Sequence, residues 1–372
     1  MDDQILWLRL SRAPGATVQA ISPLLEAFGS IGAVFNASSS ELEQYLPAHR
    51  ALASAIAGEF DAEQLDSDCD WLRQPNNYLI PFTDQRYPPL LREASGCPTS
   101  LFVCGNVDML SMPQLAIVGS RNPTASGEEN ARAFAGSLAS AGLTITSGLA
   151  QGIDAAAHAG AIAAGGKTVA VMGTGLTRVY PSAHRDLAHQ IADNGALVSE
   201  FPLDAPPRRE HFPQRNRIIA GLSLGTLVVE AAVKSGSLIT ARLAAESGRE
   251  VFALPGSIHS PLAKGCHQLI RQGAKLVETA EDIVEELGPL ASILKESLGK
   301  KMVPNSVAVM EPGFEVLLQA MGYDPIGIDS LVDRCGLTPE SISSMLLRME
   351  LEGLVEASPG GTFQRIGNAL AQ

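Results

Sequence analysis

The residues in this 372-residue chain best placed to do chemistry are cations and small polar residues set in glycine-rich turns. Gly119-Ser120-Arg121 follows the apolar run QLAIV, Ser147-Gly148 follows LTIT, and Gly173-Thr174-Gly175 follows VAVM. Small residues let a phosphate approach the main chain, and helix N-termini offer anions free N–H groups and a positive dipole end. Arg121 adds a fork of donors at the mouth of the first turn, and bidentate donation suits phosphate oxygens. In HFPQRNRIIAGLS (211–223) the spacing sets Arg215, Asn216 and Arg217 at the start of a helix. That arrangement is a phosphate clamp, and Phe212 just ahead of it offers a face for one base. Lys234-Ser235-Gly236-Ser237 opens a further helix and makes another anion site. Each has a plainer reading beside it: a surface arginine at 121, a core phenylalanine at 212, a solvated lysine at 234.

The net charge of -13 opposes binding to a polyanion if taken whole. Its distribution reverses that impression. Residues 1–100 carry 6 basic and 13 acidic side chains, residues 101–280 carry 15 and 13, and residues 281–372 carry 6 and 14. Only the middle of the chain can attract phosphate. Its most basic window is APPRREHFPQRNR (205–217), with Arg208, Arg209, Arg215 and Arg217 against Glu210. An aromatic content of 5% is too low for a long stacking platform. Contacts to a nucleic acid are therefore expected to be mainly to phosphates and largely independent of base sequence.

Catalytic constellations are thin. The histidines are spread out, and no HExxH, GxSxG or cysteine–histidine pairing stands at a useful spacing, so no catalytic residue is assigned. Cys69, Cys97, Cys104, Cys266 and Cys335 form no CxxC pair. Neither a zinc site nor a disulfide framework is expected, and no cofactor. Dinucleotide binding fails because Gly119-Ser120-Arg121 is not GxGxxG and the second strand ends in Ser147 where a ribose-binding acid would stand. His158 and His184 read as hydrogen-bonded structural residues, and Asp154 as the cap of a helix beginning near Ala155. Glu230, closing GTLVVE, is the one carboxylate that keeps an enzyme in play.

Such turns need a scaffold that aims them together. From Gln114 onward, short β-rich runs (QLAIVG, LTITSG, KTVAVMG, ALVSEF, GTLVVE, REVFALPG, AKLV) alternate with helical stretches that close on glycine, such as GEENARAFAGSLASAG and SLITARLAAESG. This is the pattern of an α/β fold with a Rossmann-like, doubly wound, mostly parallel sheet, whose ligands sit at the carboxyl ends of the strands. Residues 1–72 read as a small helical domain of SAM or helix-hairpin-helix type, with Ser39 or Ser40 capping a helix. Residues 76–288 form the extended Rossmann-like domain, with NYLIPF (77–82) as an added strand, and 289–308 a linker. Residues 309–368 read as a winged-helix-like domain of three helices and a two-stranded wing. No stretch approaches the roughly 20 uncharged apolar residues of a membrane span, and MDDQILWLRL is acidic where a signal peptide is basic. A cytoplasmic protein with no membrane contact is expected.

AIVGSR (116–121), SGLAQGIDAAAH (147–158), FPQRNRIIAGLS (212–223), SGSLITA (235–241) and ALPG (253–256) stand in an order that resembles the DprA (Smf) family of bacterial DNA-processing proteins. The resemblance covers residues 76 to 288 and is carried by five ordered motifs; the flanking parts fit the three-part layout less distinctively. It implies binding and protection of incoming single-stranded DNA and loading of the RecA recombinase during natural transformation. Carried over by motif, Arg121, Arg215, Asn216, Arg217 and Lys234 would line the DNA groove with the glycines and serines around them. A homodimer through the central domain is implied as well.

One departure concerns the terminal module. Between Glu311 and Glu356 it holds nine acidic residues against Arg334 and Arg348. A helix reading a major groove carries several cations, so this module is expected to bind protein or to regulate, not to read duplex DNA. The acidic N-terminal 100 residues invite the same reading. GTLVVEAA also resembles a stretch of the lysine-decarboxylase-like nucleotide phosphoribohydrolases, which makes a nucleoside-monophosphate hydrolase using Glu230 the competing reading. Such an enzyme needs one enclosed pocket, whereas a polymer binder needs several phosphate sites along a groove. A pure interaction scaffold would leave the basic window unexplained.

Overall fold

The computed structural model describes residues 3–287, 314–322, 324–351, 354–358 and 361–365. Nine strands form the central sheet: β1 (Asn77–Pro81), β2 (Ser100–Gly105), β3 (Gln114–Val118), β4 (Thr144–Ser147), β5 (Thr168–Val171), β6 (Ala196–Ser199), β7 (Gly225–Val228), β8 (Glu250–Ala253) and β9 (Lys275–Leu276). Their order is β1-β2-β6-β5-β4-β3-β7-β8-β9, parallel from β6 to β9, with β1 and β2 antiparallel at one edge. From β3 the chain winds outward through β4, β5 and β6, then returns to the other side of β3 for β7, β8 and β9. The loops after β3 and β7 therefore diverge, and a crevice opens at that switch point.

Strand periodicity sorts the core into two layers. On β3, Leu115 and Ile117 pack with Ala131, Phe134 and Leu138 of the helix Ala125–Ser140 and with Ile153 and Ala157 of the helix Ile153–Ala163. Ala116 and Val118 face the other way, against Ile218, Ile219 and Leu222 of the helix His211–Leu222 and Ala241 of the helix Ser237–Glu246. Gly142 and Gly248, just beyond two of these helices, hold positive φ of 99° and 68°, the left-handed turn anticipated for a helix C-terminus. β2 is a strand that periodicity does not announce. SLFVCG is a short, nearly continuous apolar run, buried because the strand lies between β1 and β6, and such a run cannot be told from a buried helix segment by pattern alone.

The N-terminal helices build a core around Leu6, Leu10, Ile21, Leu24 and Leu52 that is continuous with Leu79 of β1 and Phe102 of β2. The cap falls on Ser38, not on Ser39 or Ser40. Its hydroxyl accepts from Glu41 N–H at 3.3 Å while Glu41 Oε2 accepts from Ser38 N–H at 2.8 Å, a reciprocal box that needs a glutamate three residues on. Arg12 grips the buried Asp68 through two hydrogen bonds of 2.8 and 2.9 Å. Its Nη2 also pairs with Asp204 at 2.9 Å, which ties the helical part to the loop leading into the basic window.

The C-terminal part has a core of its own, with Leu317, Leu318, Leu331, Ile342 and Leu346 at its centre. Helices Phe314–Met321, Ile328–Cys335 and Pro339–Leu351 are joined by β11 (Val355–Ser358) and β12 (Thr362–Arg365), the expected winged-helix plan. A third strand, β10 (Ile326–Gly327), pairs with β12. Two residues are too few to carry a pattern. The linker expected at 289–308 lies outside the described residues.

Candidate nucleic-acid interface

The crevice at the switch point is a groove of about 680 Å³. One wall is Gly119-Ser120-Arg121, the turn after β3, with Arg121 exposed. The opposite wall is the turn Lys234-Ser235-Gly236-Ser237, where Lys234 is exposed and Ser237 opens the helix Ser237–Glu246. Asn216 links the wall to the helix His211–Leu222, donating through Nδ2 to the Gly236 carbonyl at 3.3 Å. Phe212, in the first turn of this helix, sits beside the first wall, with the Arg121 guanidinium 5.5 Å from its ring centroid. Ten of the residues singled out by sequence thus meet in one place: Gly119, Ser120, Arg121, Phe212, Arg215, Asn216, Lys234, Ser235, Gly236 and Ser237.

The others do not. The helix begins at His211, not at 215, because His211 and Phe212 are themselves in helical conformation, so the arginines sit in its second turn and not at its free N–H groups. Two residues apart on a helix point about 200° apart. Arg215 turns inward and is only 4% exposed. Its Nη1 donates to the carbonyls of Gly148 and Val171, and its Nε donates to Asn216 Oδ1 at 3.0 Å. It forms the floor of the groove and is not a free clamp. Arg217 turns away from the groove and pairs with Glu200.

Ser147, Gly148, Gly173, Thr174 and Gly175 are buried and do not line the groove. Ser147 Oγ donates to the Ile117 carbonyl at 2.6 Å, and Thr174 Oγ1 donates to the Arg178 carbonyl at 3.0 Å. The small residues make room for side chains instead of phosphates. A β-carbon at Gly148 would overlap the Arg215 guanidinium, and one at Gly173 would stand 2.8 Å from Cδ1 of Phe212.

Asp154 is not a helix cap. It lies inside the helix Ile153–Ala163, and its Oδ2 reaches back to accept from the N–H groups of Gly148 and Ala150 at 3.2 and 3.3 Å. Those bonds hold the tight turn in which Leu149 adopts φ 56°, a left-handed conformation that costs a branched side chain energy. Burial raises the Asp154 carboxyl, opposed by the facing Arg215. Burial lowers Arg215 to about 10, which leaves it cationic at neutral pH, and Asp154 in turn favours its charged form.

Glu230 is committed to structure. Its carboxylate accepts from Thr124 N–H at 3.0 Å and from Thr124 Oγ1 at 2.7 Å, and Thr124 in turn caps the helix Ala125–Ser140. Burial raises this carboxyl too. The two histidines flagged by sequence play structural parts. His184 Nδ1 bonds the Leu149 carbonyl at 3.0 Å, and His158 is wholly buried with Nδ1 2.7 Å from Thr168 Oγ1. Among the described residues no group of three or more His, Cys, Asp or Glu could hold a metal ion, and no helix is long and apolar enough to cross a membrane.

Two further lining residues suited to a nucleic acid, Arg209 and Tyr180, were not among the expected site residues. Arg209 belongs to the basic window but precedes the helix, and Tyr180 is a lone tyrosine 47% exposed in the loop after β5. Neither sits in a periodic pattern; only the charge density around 205–217 pointed near the first.

Residues 78–288 match the family described as DNA recombination-mediator protein A, and residues 308–361 match the DprA winged helix domain. The chain is 46% identical over 304 residues to protein Smf of Escherichia coli (strain K12), covering 81% of each. The X-ray structure of DNA processing protein A from Streptococcus pneumoniae superposes with a TM-score of 0.68 at 37% identity, covering 76% of this chain and 97% of that one. A structure of DNA processing protein A from Helicobacter pylori, described for its single-stranded DNA binding mode, gives a TM-score of 0.50 at 28% identity over 56% of this chain and 93% of that one.

Proposed function

Because the chain belongs to the DNA recombination-mediator protein A family, we propose that its groove binds single-stranded DNA through the phosphate backbone, largely regardless of sequence. The observation that carries this reading is the pairing of exposed cations on opposite sides of an open groove, Arg121 and Lys234, with Arg209 also on the lining and the one lining carboxylate, Asp154, sunk into the floor. A strand laid between them meets positive charge on both sides, and release of its counterions drives binding. An open groove suits a polymer better than it suits a mononucleotide substrate.

In this reading the protein protects incoming strands in the cytoplasm, pairs with a second copy through its Rossmann-like domain, and helps load the RecA recombinase during natural transformation. The Helicobacter relative, described for its single-stranded DNA binding mode, supports the binding itself. The acidic winged-helix part fits a role toward a protein partner, since its Pro339–Leu351 helix carries Arg348 alone against Glu340 and Glu350. The test is competition: a labelled single strand held by the protein should be displaced by unlabelled single strand and not by equimolar duplex, and should resist nuclease while bound. Equal displacement by duplex would refute the single-strand preference.

A further inference from the structure

We propose that Arg12 and Asp204 are a positioning pair through which the N-terminal helical part holds the basic window at the edge of the groove, an inference that rests on the single-strand reading above. The exposed cations of that window, Arg208 and Arg209, hang on the loop after β6, residues 200–210, and the two halves of this loop differ. The first half is pinned. Leu203 is buried in the core of the N-terminal helices. Its carbonyl accepts from Thr177 N–H at 3.2 Å and from Thr177 Oγ1 at 2.6 Å, and the Ala205 carbonyl accepts from Gly175 N–H at 3.0 Å. A β-carbon at Gly175 would stand 2.1 Å from the carbonyl oxygens of Pro202 and Leu203, so the loops after β5 and β6 can close on each other only because position 175 is glycine. The second half, residues 206–210, is exposed throughout, and Arg209 in it lines the groove.

Asp204 stands where the two halves meet. The Arg12 guanidinium that pairs with it at 2.9 Å does not swing freely, because its Nε and Nη2 also donate to the buried Asp68. An ion pair between two mobile surface side chains is worth little, whereas an arginine already fixed by a buried carboxylate has less entropy to lose. Beyond Asp204 the chain runs Ala205-Pro206-Pro207, and two successive prolines of fixed φ make a stiff spacer that carries the anchor on to Arg208 and Arg209. At the far end the Arg208 carbonyl accepts from His211 N–H at 3.1 Å, where the helix His211–Leu222 begins. The two cations are thus held from both ends, and one of those ends belongs to the helical part. That part acts on DNA binding without touching DNA, which agrees with its surplus of acidic over basic side chains.

The test is an anisotropy titration of the full chain with labelled oligo-dT. Asp204→Asn removes a carboxylate beside the basic window, so charge alone would strengthen binding to a polyanion. Positioning predicts the reverse, a loss of roughly 3- to 10-fold, because the freed cations must then be ordered at the moment of binding. Asp204→Glu, which keeps the pair, should stay within about twofold of wild type. In an Arg208→Ala/Arg209→Ala background the Asp204→Asn change should alter affinity by less than about 1.5-fold, since the side chains it places are gone. Trypsin cleavage after Arg208 and Arg209 in the DNA-free chain should be faster in Asp204→Asn than in wild type. Tighter or unchanged binding by Asp204→Asn, an equal loss with and without the two arginines, or unchanged cleavage would overturn the proposal. Failure of the wild-type chain to bind oligo-dT at all is a separate outcome that removes the groove reading and this inference with it.

Discussion

Gly148 and Arg215 occupy one volume: a β-carbon at position 148 would overlap the Arg215 guanidinium, whose Nη1 donates to the Gly148 carbonyl. A glycine that looks like room for a phosphate is room for a buried arginine. That arginine in turn ties the turn after β4 and the end of β5 to the helix His211–Leu222.

Gly148→Ala should therefore destabilise the chain by overpacking, by about 1–3 kcal/mol. Gly236, on the groove wall, has open space where its β-carbon would go, and Gly236→Ala should leave stability within about 0.5 kcal/mol of wild type. Calorimetric melting of the two variants side by side checks the contrast. Equal Tm values would mean that the turn and Arg215 are not packed as described.

Arg215 and Asp154 face each other in the groove floor, and each favours the other's charged form. Arg215→Met leaves a buried carboxylate without its cation and should cost about 3–5 kcal/mol. Adding Asp154→Asn removes the stranded charge, so the double variant should be more stable than Arg215→Met alone. Urea unfolding of the full cycle gives the coupling, and additive losses would deny it.

Burial pushes His158 down to about 3 from an ordinary value near 6.5. Its depressed folded value means that its share of stability is present above about pH 6.5 and is lost as pH falls toward 3, because the unfolded chain takes up the proton that the native core refuses. Thr168 Oγ1 donates to the Ile145 carbonyl at 2.6 Å, so the hydroxyl keeps a partner when the ring is removed. His158→Leu should flatten the fall of the urea midpoint between pH 6.5 and 4.5 relative to wild type, whatever its effect on absolute stability. Parallel pH profiles would show that the buried ring is not the titrating group.

Glu230 holds Thr124 at the start of the helix Ala125–Ser140. Glu230→Ala should lower stability by about 1–3 kcal/mol, as expected when a partly buried N–H loses its acceptor. Incubation of the wild-type chain with nucleoside monophosphates, followed by NMR, should release no free base. Base release that disappears in the variant would reverse the assignment and make Glu230 a catalytic group.

Much of the fold was legible because strand and helix periods differ and glycines mark the ends. β3 to β9 sit within the runs that the apolar spacing picked out, and the turns after β3 and β7 both line the groove. What was not legible is which way a side chain turns. Reading Arg215 and Arg217 as a clamp required the helix to start at 215, where its free N–H groups lie; it starts at 211, both arginines sit in its second turn about 200° apart, and only one can face the groove. Burial of Arg215 is a long-range fact, set by carbonyls 67 and 44 residues away in sequence. No local pattern encodes it. Tyr180 was missed for the converse reason, since an isolated aromatic in a loop has no period to read.

The central claim is that Arg121 and Lys234 hold a single strand between them. Anisotropy titration of labelled oligo-dT at a series of salt concentrations, with wild type and an Arg121→Ala/Lys234→Ala variant, tests it most directly. Wild type should bind with a log–log salt slope of about -2, from the few exposed cations of the groove, and the variant should bind far more weakly with a slope nearer zero by roughly 0.7 per cation removed. Both proteins should melt at the same temperature, since both side chains are exposed. A variant that binds as tightly as wild type, with an unchanged slope, would place the DNA elsewhere on the molecule and contradict the account.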